Sequence, residues 1–195
     1  MIPMTRIPLL TSLLLATLLG LAGCTTVTSV THQGTIDENY GKRTAGTQVE
    51  DHSIETKIGH NLGRTDARLG DARINVDSYN GVVLLTGQVP SEELKAKASE
   101  VARQVRNVRT VHNELTVAGN LPATQKIADT WLSTRIRTHL AANESIDTSR
   151  IRVITENASV YLMGIVTRAE GERIASAVAE LGGMQRIVKV FDYLD

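Results

Sequence analysis

The chain carries one pattern twice. Asp51, Ile54, Ile58 and Leu62 recur as Asp129, Leu132, Ile136 and Leu140, each 78 positions later. After a one-residue difference in the next loop, Ile74 and Val76 match Ile151 and Val153. Asn80, Leu85, Gly87 and Val89 then match Asn157, Leu162, Gly164 and Val166, and Ala98, Val101 and Ala102 match Ala175, Val178 and Ala179. So many matched apolar, Gly and Asn positions require two similar folding units in tandem. The join is Gly119-Asn120-Leu121-Pro122, which places the units at 51–119 and 124–195.

Each copy spells the same order of elements. Ile54, Ile58 and Leu62 step by four, the spacing of one helical face. Ile74-Asn75-Val76-Asp77 alternates, Asn80-Gly81 is a tight-turn signal, and Val82 to Gly87 forms a second strand. Ser91 is a good N-cap for a helix with Leu94, Ala98, Val101 and Val105 on one side, and Val111, Asn113 and Leu115 begin a last strand. In the second copy Thr167 and Glu170 have capping-box spacing. The expected fold class is α+β: two tandem α-β-β-α-β units, each with helices packed on a small mixed three-stranded sheet.

The N-terminus is of another kind. Residues 1–24 place Arg6 before an apolar run from Leu9 to Leu21, which ends in Leu21-Ala22-Gly23-Cys24. The run is too short to span a bilayer comfortably. The four closing residues resemble a bacterial lipoprotein signal, in which the cysteine is acylated and becomes the mature N-terminus. That resemblance implies a signal peptide at 1–23 and diacylglycerol plus a fatty acyl chain on Cys24, with no other cofactor. Cys24 is the only cysteine, so no internal disulfide is available to the mature chain. Thr25 resembles the second residue of the outer-membrane-sorted class. Residues 24–50, rich in Thr and Gly, read as a lipidated start and flexible tether.

The stretches "NGVVLLTGQV" and "NASVYLMGIV", each followed by a helix, and "NVRTVHNELTV" resemble the BON domain. The second copy departs at its end, reading "GGMQRIVKVFDYL". Signal, tether and two such domains together resemble the tandem BON-domain outer-membrane lipoproteins of Gram-negative bacteria. The resemblance implies a protein lipid-anchored to the outer membrane and facing the periplasm. It further implies support of envelope integrity, with the second domain binding anionic phospholipid.

Residue chemistry points away from catalysis. His32, His52, His60, His112 and His139 are scattered without metal-ligand spacing, and no phosphate-binding Gly-rich loop is present. No catalytic or metal site is expected. Lys plus Arg and Asp plus Glu both total 21, so global charge does not suggest nucleic acid as a partner. A monomer is expected.

Binding is the better class, and "ADTWLSTRIRTHLAAN" carries it. Ala128, Leu132, Ile136 and Leu140 step by four and are expected to be the buried stripe. Trp131, the only tryptophan, lies about 100° from Leu132 around the helix. Ile127, Thr134, Arg135 and Thr138 share its side, while Arg137 is on another flank. Trp favours the headgroup region, Arg pairs with phosphate and Thr can donate to lipid oxygens. The first copy has Ser53 and Lys57 in place of Trp131 and Arg135, so the fold itself does not demand the tryptophan. Three occupants stay open for Trp131: an anionic phospholipid surface, the other domain, or a protein partner. The last two belong to an alternative function, a periplasmic interaction module that recruits envelope proteins with Trp131 packed at the interdomain contact. The second copy, 126–195, holds nine basic and nine acidic residues, so attraction to anionic lipid must be local.

Overall fold

Thr44 starts the first helix. Its hydroxyl accepts the Thr47 N–H at 3.1 Å, and α1 runs Ala45–Thr65. The computed structural model describes residues 39–195, so the expected signal peptide, Cys24 and most of the expected tether lie outside the described residues. The helix begins ahead of the domain start expected at 51. Gly46, Thr47 and Val49 are poor helix formers and hide this extra turn in the sequence. The Thr44 cap supplies what those residues lack.

A short helix, α2 (Ala67–Asp71), leads to β1 (Arg73–Tyr79) and β2 (Val82–Val89), which pair antiparallel. Then come α3 (Glu92–Arg103), capped by Ser91, β3 (Thr110–Asn113) and the two-residue β4 (Thr116–Val117). Both β3 and β4 run parallel to β2. The second repeat follows as α4 (Ala123–Ala141), a 3-10 turn (Thr148–Arg150), β5 (Ile151–Glu156), β6 (Ser159–Val166), α5 (Arg168–Ala179) and β7 (Arg186–Tyr193). Again β5 pairs antiparallel and β7 parallel to β6. Both sheets are mixed as expected; the second repeat has the expected order and three strands, while the first adds α2 and the short β4, which makes its sheet four-stranded. The Thr167–Glu170 capping box is present in full.

Two paired features hold each hairpin in place. Asp51 is buried on α1 and accepts the N–H groups of Asn80 (2.8 Å) and Gly81 (3.0 Å), the Ser78 hydroxyl (2.8 Å) and Arg43 (2.8 Å). Asp129 does the same on α4, accepting from Asn157 N (2.8 Å) and Ala158 N (2.9 Å). The shared Asp is thus a bracket between helix and turn. Burial alone would raise the Asp51 carboxyl, but the donors from Gly81, Arg43, Asn80 and Ser78 outweigh it and hold it below its ordinary value. The shared glycine is steric. A Cβ on Gly87 would lie 2.0 Å from the Arg73 carbonyl oxygen, and one on Gly164 would lie 2.5 Å from that of Arg150.

Three apolar clusters order the layers. Ile54, Ile58, Val83, Leu85, Leu94 and Val101 join the helices of the first repeat to one face of its sheet. Leu132, Ile136, Val160, Leu162, Ile174 and Val178 do so in the second. Tyr79, Val82, Leu84, Tyr161, Met163 and Val190 form a third core from the remaining faces of both sheets. Residues 39–195 form a four-layer stack: helices, sheet, sheet, helices. This explains why every residue of β2 and β6 is buried, since both faces of those strands are covered.

Polar contacts across the stack are reciprocal. The Tyr79 hydroxyl donates to the Arg150 carbonyl at 2.8 Å, while Glu156 accepts from Arg73 at 3.0 Å. By the repeat alignment Tyr79 corresponds to Glu156 and Arg73 to Arg150, so the same pair of positions meets in both directions, once through a backbone carbonyl and once through a guanidinium. Gln88 and Asn75 also donate to Glu156, at 2.8 and 3.3 Å. Near the last strands, Arg109 forks onto Asp192 (2.6 and 3.0 Å) and Arg186 reaches Glu114 (2.8 Å). Such a near two-fold, self-complementary arrangement is the geometry of a symmetric dimer interface, here within one chain.

Candidate functional site

Trp131 is not at the contact between the repeats. It is 65% exposed, and the third core that joins the sheets is built from other residues. The interdomain placement considered from the sequence is therefore corrected: the sheets, not α4, make that junction. The stripe is corrected too. Asp129, Leu132, Ser133, Ile136 and Leu140 are buried, and Ala128 is exposed. Ile136 marks the buried centre, so Trp131, five residues earlier, points about 140° away, near the outermost line of the helix.

Ile127 stands one turn before Trp131 and is 70% exposed. Its counterpart Val49 in α1 is 72% exposed, so an exposed aliphatic at this point is common to both repeats. The tryptophan is what only the second possesses. Charge separates the two helices further. α4 carries Lys126, Arg135 and Arg137 against a single acid, Asp129, which is buried and used by the hairpin. α1 carries Lys57 and Arg64 against Glu50, Asp51 and Glu55. α4 is thus net basic although its repeat is neutral in total, with Lys126 and Arg137 on a flank shared with Asp77 and Glu156. One carboxylate lies near its C-terminal end, Glu180, 3.9 Å from His139.

The two arginines are not equally free. Arg135, half-buried, donates from Nη2 to the Leu181 carbonyl and sits 5.7 Å from the centre of the Trp131 ring. Arg137 gives one Nη2 hydrogen bond to the Val153 carbonyl at 2.7 Å and is otherwise exposed. Among the described residues neither lies within ion-pair distance of a carboxylate. They flank the Trp131 face on opposite sides of the helix.

Thr134 and Thr138 lie on this face, but their hydroxyls turn inward. Thr130 donates to the Lys126 carbonyl, Thr134 to Thr130 and Thr138 to Thr134, at 2.9, 2.9 and 3.0 Å. This i−4 ladder satisfies the hydroxyl hydrogens inside the helix. The face then offers methyl groups and oxygen lone pairs, not the free donors expected from the sequence. Such a surface costs less to bring against an apolar boundary than one with unpaired donors.

Sequence reasoning missed a neighbour. The turn after α5, Leu181-Gly182-Gly183, stands beside Arg135: a Cβ on Gly183 would lie 3.8 Å from its Nη1. Both glycines have positive φ, +60° and +83°, and nothing stands within 4 Å of the Cβ position of Gly182. The departure of "GGMQ" from the first repeat was the available signal.

Concavities open on the flank of α4 away from Trp131, where one of about 640 Å³ is lined by Lys126, Arg137, Asp77, Asp129 and Glu156. A cavity of about 440 Å³ at the junction of the repeats is lined by Arg43, Tyr79, Arg137, Ser149 and Arg152. Its guanidinium groups largely answer nearby acids, Arg43 to Asp51 and Arg152 to Glu55 and Asp77. Among the described residues no group of three His, Cys, Asp or Glu side chains is placed to hold a metal ion. No described helix is long and apolar enough to cross a membrane.

Comparison with known proteins agrees with this architecture. The family model for the BON domain matches residues 50–119 and again 128–195. The chain is 37% identical over 154 residues to "Outer membrane lipoprotein DolP" of Haemophilus influenzae, covering 78% of this chain and 79% of that protein. It is 34% identical over 152 residues to "21 kDa hemolysin" of Actinobacillus pleuropneumoniae, covering 78% of each.

Proposed function

The chain belongs to the BON-domain family as a two-domain, DolP-like member, and we propose that it is a non-enzymatic lipoprotein that binds anionic phospholipid through α4. One observation carries the reading. Trp131 and Ile127 are exposed on the outer line of a helix whose only acid is buried, with Arg135 beside the indole and Lys126 and Arg137 on the far flank. An indole at headgroup depth, an aliphatic anchor and flanking cations are what an interfacial helix needs. The threonine ladder makes the same face inexpensive to press against lipid.

Acylation of Cys24 would hold the protein on the outer membrane, the location named for its DolP relative. The domain then need supply only a weak second contact, because tethering raises its effective lipid concentration. A weak, charge-dependent contact lets the anchored protein favour anionic regions and support envelope integrity there. Residues 39–195 form a compact unit with their own cores, so the chain can be studied without its anchor.

The test uses protein lacking residues 1–24 and vesicles of phosphatidylglycerol and phosphatidylcholine. Flotation with anionic vesicles, loss of binding at high salt and a blue shift of the single tryptophan's emission are expected. Absence of flotation, or an unshifted emission in floated protein, rejects the proposal.

A further inference from the structure

We infer that the lipid-facing surface has two elements, α4 and the Leu181–Gly183 turn, and that Arg135 is the residue that positions one against the other. This rests on the lipid reading of α4. Three observations carry it. Arg135 spends its Nη2 donor on the Leu181 carbonyl and lies alongside Gly183, so the guanidinium ties the turn to the helix. The same guanidinium is 5.7 Å from the Trp131 ring centre, which sets the turn beside the indole. Gly182 and Gly183 are both exposed, and the space around Gly182 is open.

The first repeat again serves as the control. Its turn after α3 runs Gln104-Val105-Arg106-Asn107, with side chains where the second repeat has glycines. It is held differently, by Asn107 donating to Glu50 at 2.9 Å. Glu50 corresponds to Ala128, so the second repeat has removed an acid from its helix. Tryptophan, arginine clamp, bare glycine turn and missing acid all occur in one repeat and converge on one patch. A turn without side chains brings its backbone flush with the indole and lets a flat headgroup layer approach both. The occupant is an anionic bilayer surface, because an exposed indole and a guanidinium stand side by side on a helix that carries no exposed acid.

Arg135 therefore acts through geometry as well as charge. Lys at this position keeps the charge but lacks the planar fork that can hold a carbonyl and face the ring together. The experiment is solution NMR of isotope-labelled chain from residue 25 on phosphatidylglycerol-containing bicelles doped with a nitroxide lipid, with tryptophan emission read in parallel. The amide signals of Gly182 and Gly183 should broaden together with the Trp131 indole signal. In Arg135→Lys the glycine broadening should fall and affinity weaken roughly five-fold, the size of one hydrogen bond, while the emission shift persists. If Trp131 inserts and the glycine amides stay sharp, or if Arg135→Lys changes neither, the two-element surface is wrong and the α4 reading survives. If neither Trp131 nor the glycines respond to lipid, both fall.

Discussion

The two repeats share a fold and differ in what they show to the outside. α1 and α4 bury equivalent residues, Asp51, Ile54, Ile58 and Leu62 against Asp129, Leu132, Ile136 and Leu140. Both helices bracket a hairpin with the same aspartate, and both sheets leave a strand glycine under a neighbouring carbonyl. On the opposite side of the helix they diverge: Ser53 and Lys57 in one, Trp131 and Arg135 in the other. The comparison separates residues that build the fold from residues added to it. Changes at shared positions should cost stability, and changes at Trp131 should cost binding.

The largest effect is expected at the strand glycines. Gly87→Ala puts a methyl 2.0 Å from the Arg73 carbonyl at a φ of +118°, and should destabilise by about 3 kcal/mol or more in urea unfolding. Gly164 is not in the left-handed region and its clash is milder, so Gly164→Ala should cost less. An equal loss at both would show that the steric difference does not matter. Next comes the aspartate bracket. Asp51→Asn removes a carboxylate that receives four donors and should cost about 2 kcal/mol. Because the folded carboxyl of Asp51 lies below its unfolded value, its stabilisation is complete above the unfolded pKa near 4. That stabilisation is lost as pH falls through the folded value. Thermal melts from pH 6 downward should therefore show a shallower acid loss in the variant than in the parent.

A gain is expected at the second hairpin. Ala158 has φ +55° where the first repeat uses Gly81, so Ala158→Gly should raise stability by about 1 kcal/mol, and Gly81→Ala should lower it by more. The smallest effect on folding belongs to Trp131→Ser, which copies the first repeat. Its unfolding free energy should stay within about 0.5 kcal/mol of the parent, while flotation with anionic vesicles falls sharply. A large loss of stability would return Trp131 to the fold.

Much of this was legible in the sequence. The repeat, the element order and the hairpin glycines followed from periodicity and turn chemistry. The contact between sheets also left a trace, since Val-Val-Leu-Leu in β2 is a continuous apolar run, the pattern of a strand covered on both faces. The reciprocal pairing of Arg73 with Glu156 and Tyr79 with Arg150 could not be read, because it joins residues distant in the chain through a symmetry no local pattern encodes. At the candidate site, Trp131 stood out by internal comparison. That Arg135 is half committed to the Leu181 carbonyl, and that the threonine hydroxyls turn inward, depends on side-chain directions that spacing alone does not supply.

The reciprocal interface has one more consequence. Two identical subunits meeting across a two-fold axis must carry identical outer surfaces, and their association depends on concentration. Fusing the halves into one polypeptide removes both constraints. The joint forms at any expression level, and mutations on one outer helix are no longer copied onto the other. Asymmetry of the kind seen between Ser53 and Trp131 becomes available, so one end of the particle can specialise for a surface while the other is free to change independently.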